Sequence, residues 1–368
     1  MKLFKTHRRS ADSLAESGNP AELREMPELA SLPQEFDASA YRERYPDLRE
    51  ATDTQLANHW RTIGKAAGRN ASAIGSREAF VGLIDDSKSL LEIGPFTNPL
   101  RRGRNVKYFD VLPTELLRQR AKIHGRNPEL CPEIDFVSAT GDLDVVDQQF
   151  DAVLSSHVIE HQPDLIRHLQ AVSRVLNPGG VYYVIVPDKR YCFDHFIAES
   201  SVAEIIAAHV HARPVHDVRS VIEHRALTTH NDPKRHWAGE HGEPVYKAKP
   251  QSIREALTSF QRSNGNYIDV HAWQFVPDSF AEAMRLLFDL GLSVMRVLRV
   301  YPTVPGANEF YAVLEKTELE IRPLQIVAPQ NFDEQQYLLA NPDVAAAGAD
   351  ALEHYLVFGH GERRKLRP

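Results

Sequence analysis

A short apolar segment that ends in a glycine restricts the fold of this chain more than any other feature. Ser89–Ile93 has the composition of a buried strand, and Gly94 follows directly. The next predicted strand, Val106–Asp110, ends in an acid. Such segments are typical of the start of a parallel α/β sheet, where the glycine lets the backbone approach a ligand and the acid can bind both ribose hydroxyls. The sequence therefore predicts a sheet that binds an adenosine-containing ligand.

The composition is that of an ordinary globular protein. The chain has 368 residues, of which 42% are hydrophobic and 25% charged, so it has room for one large domain and smaller additions. Its net charge of -7 argues against a broad nucleic-acid surface, which needs a strong basic field. Two cysteines, Cys131 and Cys192, cannot form a disulfide framework and suit a reducing compartment.

The N-terminal segment, residues 1–33, is polar, rich in acids and interrupted by prolines, so we predict that it is poorly ordered. Met1–Arg9 is basic but leads into no apolar run, so it is not predicted to be a secretory signal. No apolar stretch approaches the roughly 20 residues that span a bilayer. We therefore expect a cytoplasmic protein without an integral membrane segment.

The central region, residues 76–316, alternates between strand and helix patterns. The predicted strands are 89–94, 106–111, 134–138, 150–156, 180–187, 292–301 and 308–315, and the predicted helices are 76–86, 163–176 and 277–290. Asn177–Gly180 is predicted to be a turn that ends the second helix. Prolines between the last two strands indicate a terminal antiparallel strand beside a parallel sheet. The segment 188–276 interrupts the alternation and is predicted to be a long insertion after the fifth strand.

Five motifs in this region occur in the order and at the spacings of one enzyme family. They are Leu91-Glu92-Ile93-Gly94, Asp110, Gly141-Asp142-Leu143, the run from Phe150 to His161, and Leu176-Asn177-Pro178-Gly179-Gly180. In these motifs the chain resembles class I S-adenosylmethionine-dependent methyltransferases. The resemblance implies a Rossmann-like α/β fold with a seven-stranded sheet, S-adenosyl-L-methionine as the cofactor, and an enzyme that transfers a methyl group.

The resemblance also implies which residues hold the cofactor. Glu92 would receive the ammonium of its amino-acid end, and Gly94 would let the loop approach its methionine and sugar portions. Asp110 would bind the ribose hydroxyls through charge-assisted hydrogen bonds. Asp142 and Leu143 would lie at the adenine, where Asp142 would accept a hydrogen bond from the exocyclic amine.

Ser156 and His157 follow the fourth strand and would border the methyl group, with shaping of the cofactor pocket as the alternative role of His157. All of these residues fall at the carboxyl ends of predicted strands, where open α/β sheets bind their ligands. One residue departs from the family pattern, because Phe96 occupies a position that is commonly a glycine. A dinucleotide-binding dehydrogenase would need Gly-x-Gly-x-x-Gly, which this chain lacks.

A repeated pattern occupies residues 34–72 and 330–368, at opposite ends of the chain. One copy contains Phe36-Asp37, Tyr41, Pro46-Asp47, His59-Trp60 and Gly64, and the other contains Phe332-Asp333, Tyr337, Pro342-Asp343, His354-Tyr355 and Gly359. Each copy is predicted to form a module of two short helices, in which the Phe-Asp acid caps the first helix and the glycine ends the second.

The pattern resembles a short repeat found beside glycosyltransferase and methyltransferase domains and in large secreted bacterial proteins. We interpret the two modules as structural or protein-docking elements, with carbohydrate binding as the alternative. Their expected partners are a glycosyltransferase or a polysaccharide assembly, and no nucleic acid is expected.

The insertion is placed to cover the site of methyl transfer and is rich in histidine. It contains nine of the 17 histidines of the chain, namely His195, His209, His211, His216, His224, His230, His236, His241 and His271. Loops on a rigid scaffold commonly determine specificity. We predict that Tyr191 and Trp237 stack on the apolar face of a sugar while His230 and Asn231 bind its hydroxyls.

A metal site in the insertion is the alternative role of these histidines. His209 with His211, or the trio His230, His236 and His241 with Asp232 or Glu240, could assemble one. None of these residues shows the tight spacing of a structural zinc site, and cysteines are absent nearby. We therefore predict no bound metal.

Methyl transfer to a hydroxyl needs a base that takes the proton of the acceptor, and a well-placed base is worth roughly 10²–10⁴-fold in rate. Histidine is the natural candidate because its pKa is near neutral. His161, His236 and His241 are the candidates, and the sequence does not rank them. We expect O-methylation of a sugar or glycan hydroxyl. The alternatives are another small-molecule or lipid-linked acceptor, and a non-catalytic scaffold in surface-polysaccharide assembly.

Overall fold

The computed structural model describes residues 32–243, 250–322, 329, 332–359, 362 and 364–368. The chain divides into two compact units, Met1–Leu83 and Ile84–Pro368. The segment predicted to be poorly ordered, residues 1–33, lies outside the described residues except at its last two positions.

The described part of the first unit, from residue 32 on, contains the α-helices α1 (Ala38–Arg44), α2 (Asp53–His59) and α3 (Arg77–Val81). Asp37 caps α1, because its side chain accepts a hydrogen bond of 2.8 Å from the amide of Ala40. The helix predicted over 76–86 already ends at Val81, where Gly82 takes the C-cap position. Tyr41 is fully buried, and its hydroxyl lies 3.0 Å from Nδ1 of His59.

The second unit is built on a seven-stranded sheet. Its strands are β1 (Leu90–Ile93), β2 (Val106–Asp110), β3 (Phe136–Val137), β4 (Phe150–Ser156), β5 (Leu176–Pro187), β6 (Met295–Tyr301) and β7 (Glu309–Lys316). They lie in the order β3-β2-β1-β4-β5-β7-β6, with the first five parallel and β7 antiparallel to both of its neighbours. The predicted α/β fold and its terminal antiparallel strand are therefore confirmed.

The helices of this unit connect the strands or belong to the insertion and the C-terminal segment. They are α4 (Thr114–Ile123), α5 (Leu165–Val175), α6 (Val202–Val210), α7 (Val218–Ala226), α8 (Pro233–Trp237), α9 (Pro250–Ser263), α10 (Pro277–Asp289), α11 (Glu334–Ala340), α12 (Pro342–Ala346) and α13 (Ala351–His354). Among the described residues, every helix is too short or too polar to cross a lipid bilayer.

The order of the strands reverses at β1. The chain runs outward from β1 to β2 and β3, and then returns to the other side of β1 with β4 and β5. Open α/β sheets bind their ligands beside the carboxyl ends of the strands at such a reversal. The fold therefore directs attention to the ends of β1, β2 and β4.

Two strands begin three or more residues from their predicted starts. β5 begins at Leu176 instead of residue 180, because Leu176 pairs with Phe150 before the register shifts and Val181 pairs with Ala152. The predicted turn at Asn177–Gly180 is thus an irregularity within the strand. β6 begins at Met295 instead of residue 292, since the amides of Leu292 and Ser293 donate to the carbonyl of Leu287 in α10, at 2.9 and 3.2 Å.

The C-terminal segment shows the same kinds of contacts as the first unit. Asp333 caps α11 by accepting a hydrogen bond of 3.0 Å from Gln336, and the hydroxyl of Tyr337 lies 2.9 Å from Nδ1 of His354. Two helical segments per copy were predicted, but each copy has a third. A further helix follows the Pro-Asp segment, which is a 3₁₀ helix (Pro46–Leu48) in one copy and α12 in the other. The reason is an additional N-cap, supplied by Thr52 before α2 and by Asp350 before α13.

The core of the second unit lies against the sheet. Leu165, Leu169 and Val172 on α5 are almost completely buried, as the periodicity predicts, and burying one such side chain stabilises the fold by about 1.5–3 kcal/mol. The helix ends at Val175, so Leu176 is part of β5. His168 is also buried on this helix, and its Nε2 lies 3.0 Å from the hydroxyl of Tyr182.

We predict that His168 makes the protein less stable in mild acid. Burial lowers the pKa of His168 from 6.5 to about 4. Between these values the unfolded chain binds more protons than the folded one, so the free energy of unfolding falls as the pH drops. From pH 7 to pH 5 this group should remove about 2 kcal/mol. Urea denaturation at both pH values should show a smaller loss for H168Q than for the wild type. An equal loss in both proteins would exclude this role.

Candidate functional site

The structure brings the predicted cofactor residues to one edge of the sheet. Gly94 directly follows β1, Asp110 ends β2, Ser156 ends β4 and His157 follows it, while Asp142 comes after β3. Parallel pairing of β1 with both β2 and β4 places these ends side by side. We call this the carboxyl edge of the sheet.

The turn after β1 has an unusual backbone. Gly94 is exposed with a φ of 70°, and a Cβ atom there would lie 3.0 Å from Cγ2 of Val158. Phe96 also has a positive φ, 41°, which explains why glycine is common at this position in the family that the sequence resembles. The Phe96 ring packs against the cluster around Leu117 and Cys131. Apolar packing therefore accommodates the one departure from the family pattern.

Glu92 lies in β1, just before this turn, and binds the loop that follows the turn. Its side chain is 3% exposed, and its two carboxylate oxygens accept hydrogen bonds of 2.7 and 3.1 Å from the amides of Leu100 and Arg101. Burial raises the pKa of Glu92 to about 7. Its role as the acceptor of an ammonium stays a prediction, since the contacts seen here are to the loop.

Asp110 and Asp142 differ in their surroundings. Asp110 is 7% exposed, accepts a hydrogen bond of 3.1 Å from the amide of Leu112, and has its pKa raised by burial. Asp142 is more exposed and is held by the hydroxyl of Thr140 at 2.9 Å and by an ion pair with Arg167. Both carboxylates keep acceptor positions beyond those contacts, because the two oxygens of a carboxylate together offer about four.

Leu143 is placed less favourably than predicted. Its side chain is 3% exposed and belongs to the main core, so little of its surface remains for an adenine ring. Its contact with a cofactor stays a prediction, as does that of Ser156, which is partly exposed at the end of β4.

His157 stands between two acids at the carboxyl edge. Its backbone is left-handed, with a φ of 55°, and its Nε2 lies 2.9 Å from Oε2 of Glu309 at the start of β7. Its Nδ1 lies 3.7 Å from Oε1 of Glu160. A non-glycine residue with a positive φ is uncommon and is often found at functional sites.

The insertion is tied to the carboxyl edge at several points. A bridge pairs Asp188, after β5, with Phe275, and the amide of Ala272 donates to the carbonyl of Glu160 at 2.7 Å. The indole of Trp237 donates to the carbonyl of Ala307 at 2.8 Å. Since Ala307 lies in the loop before β7, which starts opposite the end of β5, this contact is also at the carboxyl edge.

The sugar contacts of Tyr191, Trp237, His230 and Asn231 stay a prediction, and the structure shows what these side chains contact. The rings of Tyr191 and Trp237 stack on each other, with centroids 3.9 Å apart and planes 7° apart, which leaves no space for a ligand between them. Arg190 covers the Tyr191 ring at 5.2 Å. Both ring nitrogens of His230 contact backbone groups, the carbonyl of Glu240 and the amide of Asp232. Asn231 remains exposed.

Two of the three candidate bases are joined in a chain of hydrogen bonds. Nε2 of His236 donates to the carbonyl of His230 at 3.0 Å, so Nδ1 of the neutral ring is an acceptor. Nδ1 of His241 therefore donates to Nδ1 of His236 at 3.1 Å, which leaves the lone pair on Nε2 of His241. Burial lowers the pKa of His236, which favours this neutral ring. His241 also stacks on His195, with centroids 3.8 Å apart.

The third candidate, His161, lies elsewhere. Its Nδ1 is 3.1 Å from Oδ1 of Asp269, and its Nε2 is 3.9 Å from Oε1 of Glu160. Burial lowers its pKa, but Asp269 and Glu160 raise it further, so that it lies above the ordinary value. His161 thus contacts a different set of residues from the pair formed by His236 and His241.

The sequence analysis missed three acids that contact histidines of this region: Glu160 beside His157, Asp269 beside His161, and Asp194 beside His271. Glu160 lies between two predicted residues in His157-x-x-Glu160-His161, and this spacing on a tight turn was a readable signal. Asp194 and Asp269 are distant in sequence from the groups that they contact, and no local pattern identifies them.

A family model described as a methyltransferase domain matches residues 91–184. This stretch contains β1, β2, β3 and β4, the carboxyl edge that they form, and most of β5. The region is a methyltransferase domain. Its reaction is methyl transfer and its cofactor is S-adenosylmethionine. No curated protein sequence matches the chain.

Solved structures that resemble this methyltransferase domain are only distantly similar. The CcbJ methyltransferase from Streptomyces caelestis is 19% identical, with 31% of this chain and 52% of that one aligned and a TM-score of 0.23. A methyltransferase from Pyrococcus furiosus is 14% identical, with 66% of this chain and 81% of that one aligned and a TM-score of 0.29. The mitomycin 7-O-methyltransferase MmcR is 13% identical, with 76% of this chain and 67% of that one aligned and a TM-score of 0.32. The chain thus spans about half the length of CcbJ. TM-scores this low do not identify an activity. The identification of the methyltransferase domain therefore rests on the family model.

The carboxyl edge fits the cofactor. Gly94 is exposed and leaves open the space that a Cβ would occupy, while Asp110 presents a carboxylate at the end of the neighbouring strand. Asp110 would hold the ribose hydroxyls, and Asp142 would hold the adenine amine. When bound, S-adenosylmethionine supplies a methyl group on a positively charged sulfur.

We predict that Gly94→Ala weakens cofactor binding by roughly tenfold or more, because the new Cβ meets Val158 at 3.0 Å and closes the backbone approach. Gly125→Ala is the matched control, since Gly125 also has a positive φ, 66°, but has open space around it. Calorimetry with S-adenosylhomocysteine measures both. Equal affinities of the two variants would contradict a role of Gly94 at the ligand.

We also predict that Asp110→Asn weakens S-adenosylhomocysteine binding by roughly 10–100-fold, the value of a lost charge-assisted hydrogen bond. Asp151→Asn serves as the control, because Asp151 bonds Ser89 and Asn177 at the opposite end of β4. That variant should lower stability and retain affinity. An Asp110→Asn protein with wild-type affinity would remove Asp110 from the site.

Proposed function

We propose that the whole chain is a cytoplasmic S-adenosylmethionine-dependent methyltransferase that O-methylates a hydroxyl of a sugar or glycan, with His241 as the general base. The observation that carries the proposal is the hydrogen-bond chain from His241 through His236 to the carbonyl of His230. It leaves Nε2 of His241 as the nitrogen able to accept a proton.

The geometry favours His241 over the other two candidates. Both nitrogens of His236 are used, one by His230 and one by His241. Both nitrogens of His161 face carboxylates, those of Asp269 and Glu160. His241 is partly exposed, and the imidazolium formed after proton transfer would keep its hydrogen bond to His236.

The chain's own residues account for the other requirements of the reaction. Methyl transfer depends on alignment of the acceptor with the methyl group, which the carboxyl edge and the insertion would provide together. Trp237 and Phe275 hold the insertion at that edge, so it can exclude water from the acceptor. The proton of the acceptor hydroxyl would move to Nε2 of His241.

A polar cavity supports a hydroxyl-rich acceptor. The cavity has a volume of about 620 Å³ and lies between α9 and the segment after it, with Arg225, Glu255, Arg262, Tyr267 and Asp269 in its wall. Such a lining suits a sugar better than an apolar metabolite, since it offers charged hydrogen-bonding groups and one aromatic face. Asp269 connects the cavity to His161 and thus to the turn after β4.

The two terminal modules would serve as docking elements for a glycosyltransferase or a polysaccharide assembly. The proposal rests on their repeat pattern and on the matching Tyr–His contacts in both copies. A non-catalytic scaffold is less well supported, because Phe96, the residue that favoured it, packs among apolar side chains and leaves the Gly94 turn exposed.

The base can be tested with His241→Asn once an acceptor is found by profiling methyl-labelled products across sugars, nucleotide sugars and lipid-linked sugars. We expect a fall in kcat of roughly 10²–10⁴-fold with unchanged S-adenosylhomocysteine affinity. His211→Asn, an exposed histidine of the same insertion, is the control and should keep full activity. Unchanged turnover in the His241 variant would exclude it as the base, and labelling of non-sugar acceptors alone would exclude the sugar.

A further inference from the structure

We propose that Glu160, His161 and His271 form a binding site for a transition-metal dication. We call these three residues the Glu160 cluster. The site goes beyond the proposed methyl transfer and does not depend on it. It uses a buried acid that the reaction leaves unassigned and two histidines that lie 110 residues apart in the sequence.

The ligand atoms of the Glu160 cluster converge. Oε1 of Glu160 lies 3.9 Å from Nε2 of His161 and 3.9 Å from Nε2 of His271, and one ligand atom from each residue falls within 4.8 Å of the others. Ligands about 2.0–2.1 Å from a tetrahedral ion are roughly 3.4 Å apart, so each of the two distances from Glu160 would have to shorten by about half an ångström. The distances are too long for hydrogen bonds.

Glu160 is the strongest indication that something is bound there. Its side chain is fully buried, and neither carboxylate oxygen has a hydrogen-bond partner among the described residues. A buried carboxylate without a partner is costly, and buried charges are normally paired or coordinate a metal. The backbone reinforces the arrangement, since the carbonyl of Glu160 accepts a hydrogen bond from Ala272, next to His271.

A second acid lies beside the other nitrogen of each histidine. Nδ1 of His271 lies 2.6 Å from Oδ2 of Asp194, and a proton on Nδ1, directed at this acid, leaves the lone pair on Nε2, which faces Glu160. Nδ1 of His161 lies 3.1 Å from Oδ1 of Asp269, but not at the angle of a hydrogen bond. This carboxylate–histidine arrangement is typical of metal ligands.

The kinds of ligand atom in the Glu160 cluster determine which ions it would bind. Two imidazole nitrogens and one carboxylate suit Zn²⁺ or Fe²⁺, whereas Mg²⁺ and Ca²⁺ prefer oxygen ligands alone. His161 of the cluster is partly exposed, and so is His157 beside it. Asp269, next to His161, also lines the 620 Å³ cavity, so an ion has a way in.

Two neighbouring groups of histidines fit an ion less well. In the group of His195, His236 and His241 the rings stack nearly parallel, and Nδ1 of His236 and of His241 are already bonded to each other. In the group of Asp194, His224 and His271 the shortest separation, 2.6 Å, is that of a hydrogen bond. Neither group contains an unpartnered buried carboxylate that faces two free nitrogens.

The test uses the full chain, stripped of metal with a chelator and titrated with Zn²⁺ by calorimetry, and with Co²⁺ by visible absorption. We expect one ion per chain, the absorption of Co²⁺ in a four- or five-coordinate site, and no competition from Mg²⁺. Glu160→Gln should weaken Zn²⁺ binding by more than about 100-fold, and Asp194→Asn, which only positions His271, by roughly 10–100-fold. Neither cofactor nor acceptor is present, so the result is independent of methyl transfer.

Further variants distinguish a loss of metal binding from a loss of folding. Zn²⁺ should raise the melting temperature of the wild type but not that of Glu160→Gln, whose fold is checked by S-adenosylhomocysteine binding. If Glu160→Gln does not fold, His161→Gln, at a partly exposed position, replaces it with the same expected loss. His195→Asn, in the parallel histidine group, should bind Zn²⁺ as the wild type does. A wild type that binds no Zn²⁺, or a loss confined to His195→Asn, would overturn the proposal.

Discussion

Parallel pairing of β1 with β2 on one side and β4 on the other is the interaction on which the site depends. β1 has only four residues, all buried, and backbone hydrogen bonds to two neighbours hold it in register. A slip of one residue would turn Glu92 toward the opposite face and carry Gly94 away from the end of β2. The short central strand therefore fixes the positions of the turn, of Asp110 and of the residues after β4 at once.

Local patterns were sufficient to predict the sheet. The strand of residues 150–156, the buried face of α5 and the acid that ends β2 could be read from the sequence because each depends on neighbours within a few residues. The predicted starts of two strands were wrong because contacts with other parts of the chain determine them. Hydrogen bonds from Leu292 and Ser293 to Leu287 keep these residues out of β6, and the pairing of Leu176 with Phe150 brings the start of β5 forward.

The candidate site was harder to predict because its contacts join distant parts of the chain. His161 meets Asp269, and His271 meets Asp194, across 108 and 77 residues respectively. The stacking of Tyr191 on Trp237 also escaped prediction, since composition indicates that aromatic rings are present but not whether they face a ligand or each other. The break in the strand and helix pattern indicated an insertion, whereas the roles of its individual histidines required the tertiary structure.

The attachments of the insertion restrict how molecules enter and leave. Trp237 is fastened to the loop before β7, Phe275 to the residue after β5, and Ala272 to Glu160. A segment fastened in its middle and at its end cannot swing aside as one rigid flap. Exchange of substrate and product must instead proceed through local opening between these attachments, and the indole hydrogen bond of Trp237 is the one that such an opening would have to break.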